Sequence, residues 1–251
     1  MPPPAKPIAR PRGADRTHAG PKRAAPVRAA AAAAAEDSAD RYHAILNAAE
    51  RLFAASGFAG TSMRSIAESA GVVQSLLHYH FGTKEKLFEE VFRRRSKEMN
   101  AARLRRLEAA MAGGKPELAA LLEILLRTTV ELGRDEVKGT RHFSRLIMSV
   151  AVSQDQRDKQ LMAQQFDEFA LRFIDALQVV LPGLSRADAV WGYLFSIGVA
   201  MTIMAPTGRA NRLSDALCDD ANTEDVLQRV IRFAEAGLRG LPAKKGDARK
   251  S

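Results

Sequence analysis

The sequence predicts an all-α protein. A three-helix head carrying a helix–turn–helix is joined by a connecting helix to a larger helical body. Three observations lead there. Ala, Leu, Glu, Arg and Gln recur at helical spacing over most of the 251 residues, and these are the residues a helix accommodates at least cost. The stretch 61–81, TSMRSIAESAGVVQSLLHYHF, reads as helix, tight turn and helix. A second helix braced in this way by a first fits the major groove of DNA. Strands are poorly supported, because alternating apolar and polar runs are scarce.

Residues 1–36 form a basic Pro/Ala-rich tail, with seven of the eleven prolines and an unbroken Ala29–Ala35 run in its first 35 residues. Such a segment cannot bury a core and is expected to be disordered, although the alanine run can extend the first helix backward. It has no strongly apolar stretch of a secretory signal. The head, residues 37–100, opens with a helix capped by Ser38 or Asp40. Its stripe is Ile45, Ala48, Ala49, Leu52 and Phe53. Gly57 and Phe58 close it. Thr61 is placed to cap the next helix, whose inner face is Met63, Ile66, Ala67 and Ala70. Gly71 ends that helix where a left-handed residue is needed. In the following helix Leu77 and Phe81 point inward, Ser75 and Tyr79 outward, and Leu76 and His78 lie on the flanks. The outer face offers groups suited to phosphates, base edges and thymine methyls. Thr83 caps a connecting helix with Leu87, Phe88, Val91 and Phe92 inward, running to about residue 110.

The candidate DNA contacts are Thr61, Ser62 and Arg64 on the first helix of the pair. Val73, Gln74, Ser75, Leu76, His78, Tyr79 and His80 follow on the second, and Lys84 stands in the first turn of the connecting helix. The charge is placed to match. The net charge is +9, yet residues 107–242 carry fifteen Lys/Arg against eighteen Asp/Glu, so the excess sits on the head and the two tails. That is expected if only the head meets a phosphate backbone.

The body, residues 101–242, reads as five helices over 116–132, 136–152, 155–181, 185–205 and 222–238, before a basic tail at 243–251 expected to be disordered. The fourth helix, DAVWGYLFSIGVAMTIM, is nearly apolar all round and must be covered on most sides. One side can be the core and another a partner subunit. The last helix has a broad stripe of Val226, Leu227, Val230, Ile231, Phe233, Ala234 and Leu238. Phe and Met are concentrated in the body at Phe143, Met148, Met162, Phe166, Phe169, Phe173, Phe195, Met201 and Met204, together with the single Trp191.

The run ILNAAERLFAASGFAGTSMRSIAESAGV followed by LLHYHFGTKEKLFEEV, within residues 45–91, resembles the N-terminal domain of the tetracycline-repressor family of bacterial transcriptional regulators. Glycines, aromatics and hydrophobics match in register. The chain departs from the usual pattern at Val73, where a Ser or Asn cap is common, at Leu76, where a small residue is, and at His78, where a tyrosine is. The resemblance implies a homodimer joined through the last two long helices, where Gly192, Gly198, Ala200, Ala234 and Gly237 permit close approach. Ile231 and Val230 are then expected at the seam. It also implies a pocket for a small apolar effector, expected among Phe143, Phe166, Phe169, Phe173, Trp191 and Phe195, with Arg141, His142, Arg145 and Gln165 as its polar end, although aromatics at helical spacing are individually more often plain core. An acidic apolar ligand, such as a fatty acid or its thioester, suits arginine at the mouth.

Other chemistries are disfavoured. His78 and His80 diverge by about 200° on a helix and cannot share a metal. No phosphate loop or nucleophile–His signature stands in context, so an enzyme is not expected, and no cofactor is implied. No run of about 20 apolar residues predicts a membrane span. The single Cys218 excludes an internal disulfide and suits a reducing cytoplasm. The expectation is a cytoplasmic, ligand-responsive repressor that binds a pseudo-palindromic double-stranded DNA operator as a homodimer and is released by its effector. The alternative is a helical protein-interaction module with basic tails for nonspecific nucleic acid.

Overall fold

The computed structural model describes Met1 and residues 24–134 and 140–241, with side chains of the first helix from Glu36 onward. Most of the two tails expected to be disordered, and the expected start of a body helix at Glu136, lie outside the described residues. By compactness the chain divides into residues 1–41 and 42–251.

In the first unit the expectation of disorder to residue 36 is corrected for 24–36, which are helical. Helix α1 runs over Ala24–Ser56, so neither Ser38 nor Asp40 begins it. Alanine has the highest helix propensity, and the Ala29–Ala35 run favours helix without a tertiary partner. Arg41 pairs with Asp37 one turn back at 2.6 Å.

In the second unit all described elements are helical, and no strand occurs among the described residues. Residues 42–56 of α1 are followed by α2 (Met63–Ala70), α3 (Gln74–Phe81) and the 29-residue α4 (Lys84–Ala112). Gly71 adopts φ 68°, and its N–H and that of Val72 close the end of α2. This left-handed turn sets α3 across α2, and a side chain there would be strained. The body is α5 (Leu118–Leu132), α6 (Thr140–Ala151), α7 (Gln156–Val180), α8 (Arg186–Thr202), α9 (Arg209–Leu213) and α10 (Thr223–Gly240). Asp155, Ser185 and Asn222 cap α7, α8 and α10 through their side-chain oxygens. The five-residue α9 has no buried residue and no apolar periodicity for the sequence to show.

The apolar cores do not part at the expected boundary of residue 100. One cluster holds Ile45, Phe53, Ile66, Leu77, Phe88 and Phe92, and continues into Phe143, Leu146, Leu161, Phe166 and Met204. The second lies deeper in the body, around Leu107, Leu121, Phe169, Phe173, Leu227 and Val230. Phe92 packs edge-on to Phe143 at 5.2 Å and to Phe166 at 6.0 Å. Phe58 lies between the Lys84 ammonium at 4.3 Å and the Arg157 guanidinium at 3.9 Å. Buried Glu50 of α1 binds Arg94 at 2.7 Å and Arg95 at 2.9 Å on α4.

Candidate nucleic-acid interface and body cavity

The α2–α3 pair presents one exposed face, because Leu77 and Phe81 are taken into the core and fix the roll of α3. Val73, Gln74, Ser75 and His78 are exposed, and the Tyr79 side chain stands 82% exposed. Val73 is the N-cap of α3 and makes no side-chain cap. A valine has no oxygen to offer, so the first-turn amides of α3 face outward without that partner. His78 donates from Nδ1 to the Gly82 carbonyl at 2.9 Å, which leaves Nε2 to accept from Gln74 at 3.3 Å. Ser62 and Arg64 are exposed on α2, and Arg64 is paired with Glu68 at 2.9 Å. A surface pair of this kind is weak and exchangeable.

Four of the expected contacts are placed otherwise. Thr61 is 3% exposed and does not cap α2. Its hydroxyl donates to the carbonyls of Leu52 (3.1 Å) and Gly57 (2.8 Å), tying the loop to the end of α1. Ser62 caps instead, in a reciprocal box with Ser65. Lys84 donates to the carbonyls of Phe58 (2.9 Å) and Thr61 (3.0 Å), which occupies two of its three N–H donors within the fold. Leu76 is half-buried and packs against the core. His80 is half-buried with its ring against Tyr42 (5.6 Å) and Tyr79 (5.2 Å).

In the body, a cavity of about 450 Å³ lies between α4, α5, α6, α7 and α8. Of the six residues expected to line it, only Phe166 does. Phe143, Phe169 and Phe173 are buried core. Trp191 and Phe195 are 55% and 56% exposed and stack on each other at 5.6 Å on the outside of α8. The reason is the roll of α8: Ala189, Gly192, Ser196 and Ala200 face inward, which sends the large residues out. A Cβ at Gly192 would displace the Leu238 side chain of α10, so the glycine lets the two helices pack as they do.

The polar end of the cavity also differs from expectation. Arg141, His142, Arg145 and Gln165 do not line it. Gln165 instead accepts from Ser96 (2.9 Å) and, through its carbonyl, from Asn100 (2.5 Å). Arg103, Thr129, Asp167, Tyr193 and Thr202 supply the polar lining. Arg103 is 3% exposed and donates to Thr129 Oγ1 at 2.6 Å and to the Leu125 carbonyl at 3.0 Å. Burial lowers its pKa to about 10, which still leaves it a cation at neutral pH. The sequence did carry a signal for it. Ser96, Met99, Asn100, Arg103 and Leu107 continue the inward stripe of α4 at helical spacing.

A further apolar groove runs between α8 and α10, lined by Leu194, Phe195, Val199, Phe233 and Leu241. Phe233 is 68% exposed. Cβ atoms added at Gly198 or Gly237 would meet nothing, so both glycines face open space. Val230 and Ile231 do not belong to this outer face. Both are buried within the chain against α5 and α8, which corrects their expected place at a seam. Among the described residues no cluster of metal-ligating side chains occurs, and no helix is long and apolar enough to cross a membrane.

Residues 45–91 match the family model described as bacterial regulatory proteins, tetR family. Residues 123–237 match that of the tetracyclin repressor-like C-terminal domain. The chain is 42% identical over 55 residues to the HTH-type transcriptional repressor KstR2 of Mycolicibacterium smegmatis, covering 22% of this chain and 27% of the relative. It is 38% identical over 82 residues to the HTH-type transcriptional regulator AcrR of Shigella flexneri, covering 33% and 37%. The matched stretches thus span about a third of these curated relatives. The fold is similar to AibR in complex with isovaleryl coenzyme A and operator DNA, with TM-score 0.58, 21% identity, and coverage of 77% of this chain and 97% of that one. It is also similar to FadR from Bacillus subtilis in complex with stearoyl-CoA, with TM-score 0.56, 14% identity, and coverage of 76% and 97%.

Proposed function

Because the chain belongs to the tetR family of bacterial regulatory proteins, we propose that it is a ligand-responsive transcriptional repressor. It binds a pseudo-palindromic operator as a homodimer, in the cytoplasm where the DNA is, and performs no catalytic step. The observation that carries the reading is the exposed face of α3. Tyr79 and Ser75 stand outward on a helix whose opposite side, Leu77 and Phe81, is locked into the core. The proposed DNA contacts are Ser62, Arg64, Val73, Gln74, Ser75, His78 and Tyr79. A gel-shift titration with the DNA upstream of its own coding region tests this. Discrete complexes that resist competitor DNA support it, and salt-labile smearing alone overturns it.

The second copy covers the groove between α8 and α10. Trp191, Leu194, Phe195 and Phe233 form an exposed apolar face around the open Gly198 and Gly237, a surface that soluble monomers rarely leave bare. Two-fold pairing there sets two α3 helices against successive half-sites. A chain that sediments as a monomer at micromolar concentration removes this part of the reading.

The effector occupies the cavity beside α4. Two neighbours of the same fold were solved with acyl-coenzyme A compounds, one of them also with operator DNA, which supports an effector with an apolar acyl part. Ligand and operator then compete through two conformations of one chain. The ligand changes DNA affinity by no more than its own preference between them.

A further inference from the structure

We infer that the effector is a free carboxylic acid with an apolar body, its carboxylate held by Arg103. This rests on the effector reading above and narrows it to one chemical class.

Arg103 lines the cavity, yet its hydrogen bonds go to two neutral oxygens, Leu125 O and Thr129 Oγ1. Its Nε is buried without a partner. No carboxylate pairs with it among the described residues. Asp167 borders the same cavity but is exposed and makes no ion pair with it. The Phe169 ring lies 5.4 Å from the guanidinium. A buried cation without a counter-charge is costly, and arginine does not escape by losing its proton near neutral pH. An anion arriving in the cavity removes that cost, and the Thr129 and Tyr193 hydroxyls border the same cavity. A carboxylate matches the planar guanidinium fork.

The rest of the cavity selects the body of the acid. Met99, Ile147, Met162, Phe166 and Ile197 make an apolar wall, and methionine adapts to several shapes. A thioester presents only a neutral carbonyl to Arg103 and leaves the charge uncompensated. Its coenzyme A portion is a multiply charged nucleotide that the apolar wall does not complement.

Isothermal titration of the full chain with decanoate, methyl decanoate and decanoyl-coenzyme A tests the inference. The acid is expected to bind about tenfold or more tighter than its ester, as a hydrogen bond to a charged group is worth. Arg103→Met is expected to erase that preference, and Arg103→Lys to keep part of it. Equal affinity for acid and ester in the unaltered chain overturns the inference, as does tighter binding of the thioester. If Arg103→Met does not fold, the acid-to-ester ratio of the unaltered chain decides alone. Absence of binding by all three probes overturns the effector reading itself, an outcome distinct from loss of the acid preference.

Discussion

Thr61 and Lys84 are polar side chains of the head that face inward, and the exposed Tyr79 is their counterpart. The Thr61 hydroxyl closes two carbonyls at the end of α1, and the Lys84 ammonium closes two more. Substituting Thr61→Val is expected to leave those carbonyls under-satisfied and to cost about 1–3 kcal/mol of stability. Lys84→Met is expected to lower the melting temperature as well. Tyr79→Ala is expected to do the reverse, with melting unchanged and operator affinity reduced by about 1–3 kcal/mol if it reads a base. Thermal melts and gel-shift titrations on the same samples separate the two patterns. Helical spacing alone made the inward Leu77 and outward Tyr79 legible. It could not reveal Lys84, because the carbonyls it binds lie 26 and 23 residues earlier in the chain. Thr61 and Ser62 differ for a local reason. Thr and Ser stand side by side at the cap, and propensity does not separate them, whereas Ser65 completes a box only with Ser62.

Among the elements, α10 separates fold from assembly. Its broad stripe in the sequence divides in the structure, with Val226, Leu227, Val230, Ile231, Ala234 and Leu238 inward and Phe233 outward. Val230→Asp is expected to bury an unpaired charge and to destabilise the chain severely. Phe233→Asp is expected to leave the melting of the isolated chain near its original value and to shift sedimentation from dimer to monomer. If Phe233→Asp still sediments as a dimer, the seam lies elsewhere. The helix boundaries of the body were legible because Asp155, Ser185 and Asn222 are strong caps. Which side of α8 faces inward was not, because an all-apolar helix has no polar face to mark its roll. That is why Trp191 and Phe195 were expected in a pocket and lie on the surface.

At the scale of the molecule, the head shares its core with α6, the start of α7 and Met204. Phe92 touches both Phe143 and Phe166, and Glu50 ties α1 to α4 through two arginines. Residues 42–241 are therefore expected to unfold in one cooperative step by calorimetry, and a separate low-temperature transition of the head contradicts this. Phe92→Ala is expected to cost about 3–5 kcal/mol and to lower the melting of head and body signals together. Glu50→Ala is expected to fall at the low end of the roughly 3–5 kcal/mol for breaking a buried pair, since both arginines keep some water.

The unbroken helix α4 begins at Lys84, just beyond the α2–α3 pair, and carries the cation of the cavity. Lys84 and Arg103 are 19 residues apart, which at 1.5 Å per residue makes a rigid arm of about 28 Å. Pivoting such an arm by about 7° sweeps its far end through roughly 3.4 Å, one base-pair step of DNA. A tilt of α4 by a few degrees about the cavity is thus enough for a one-step mismatch between protein and operator. Spin labels at the exposed Lys86 in both protomers are expected to report a change of several ångströms when ligand is added. An unchanged separation means that release from DNA does not run through this arm.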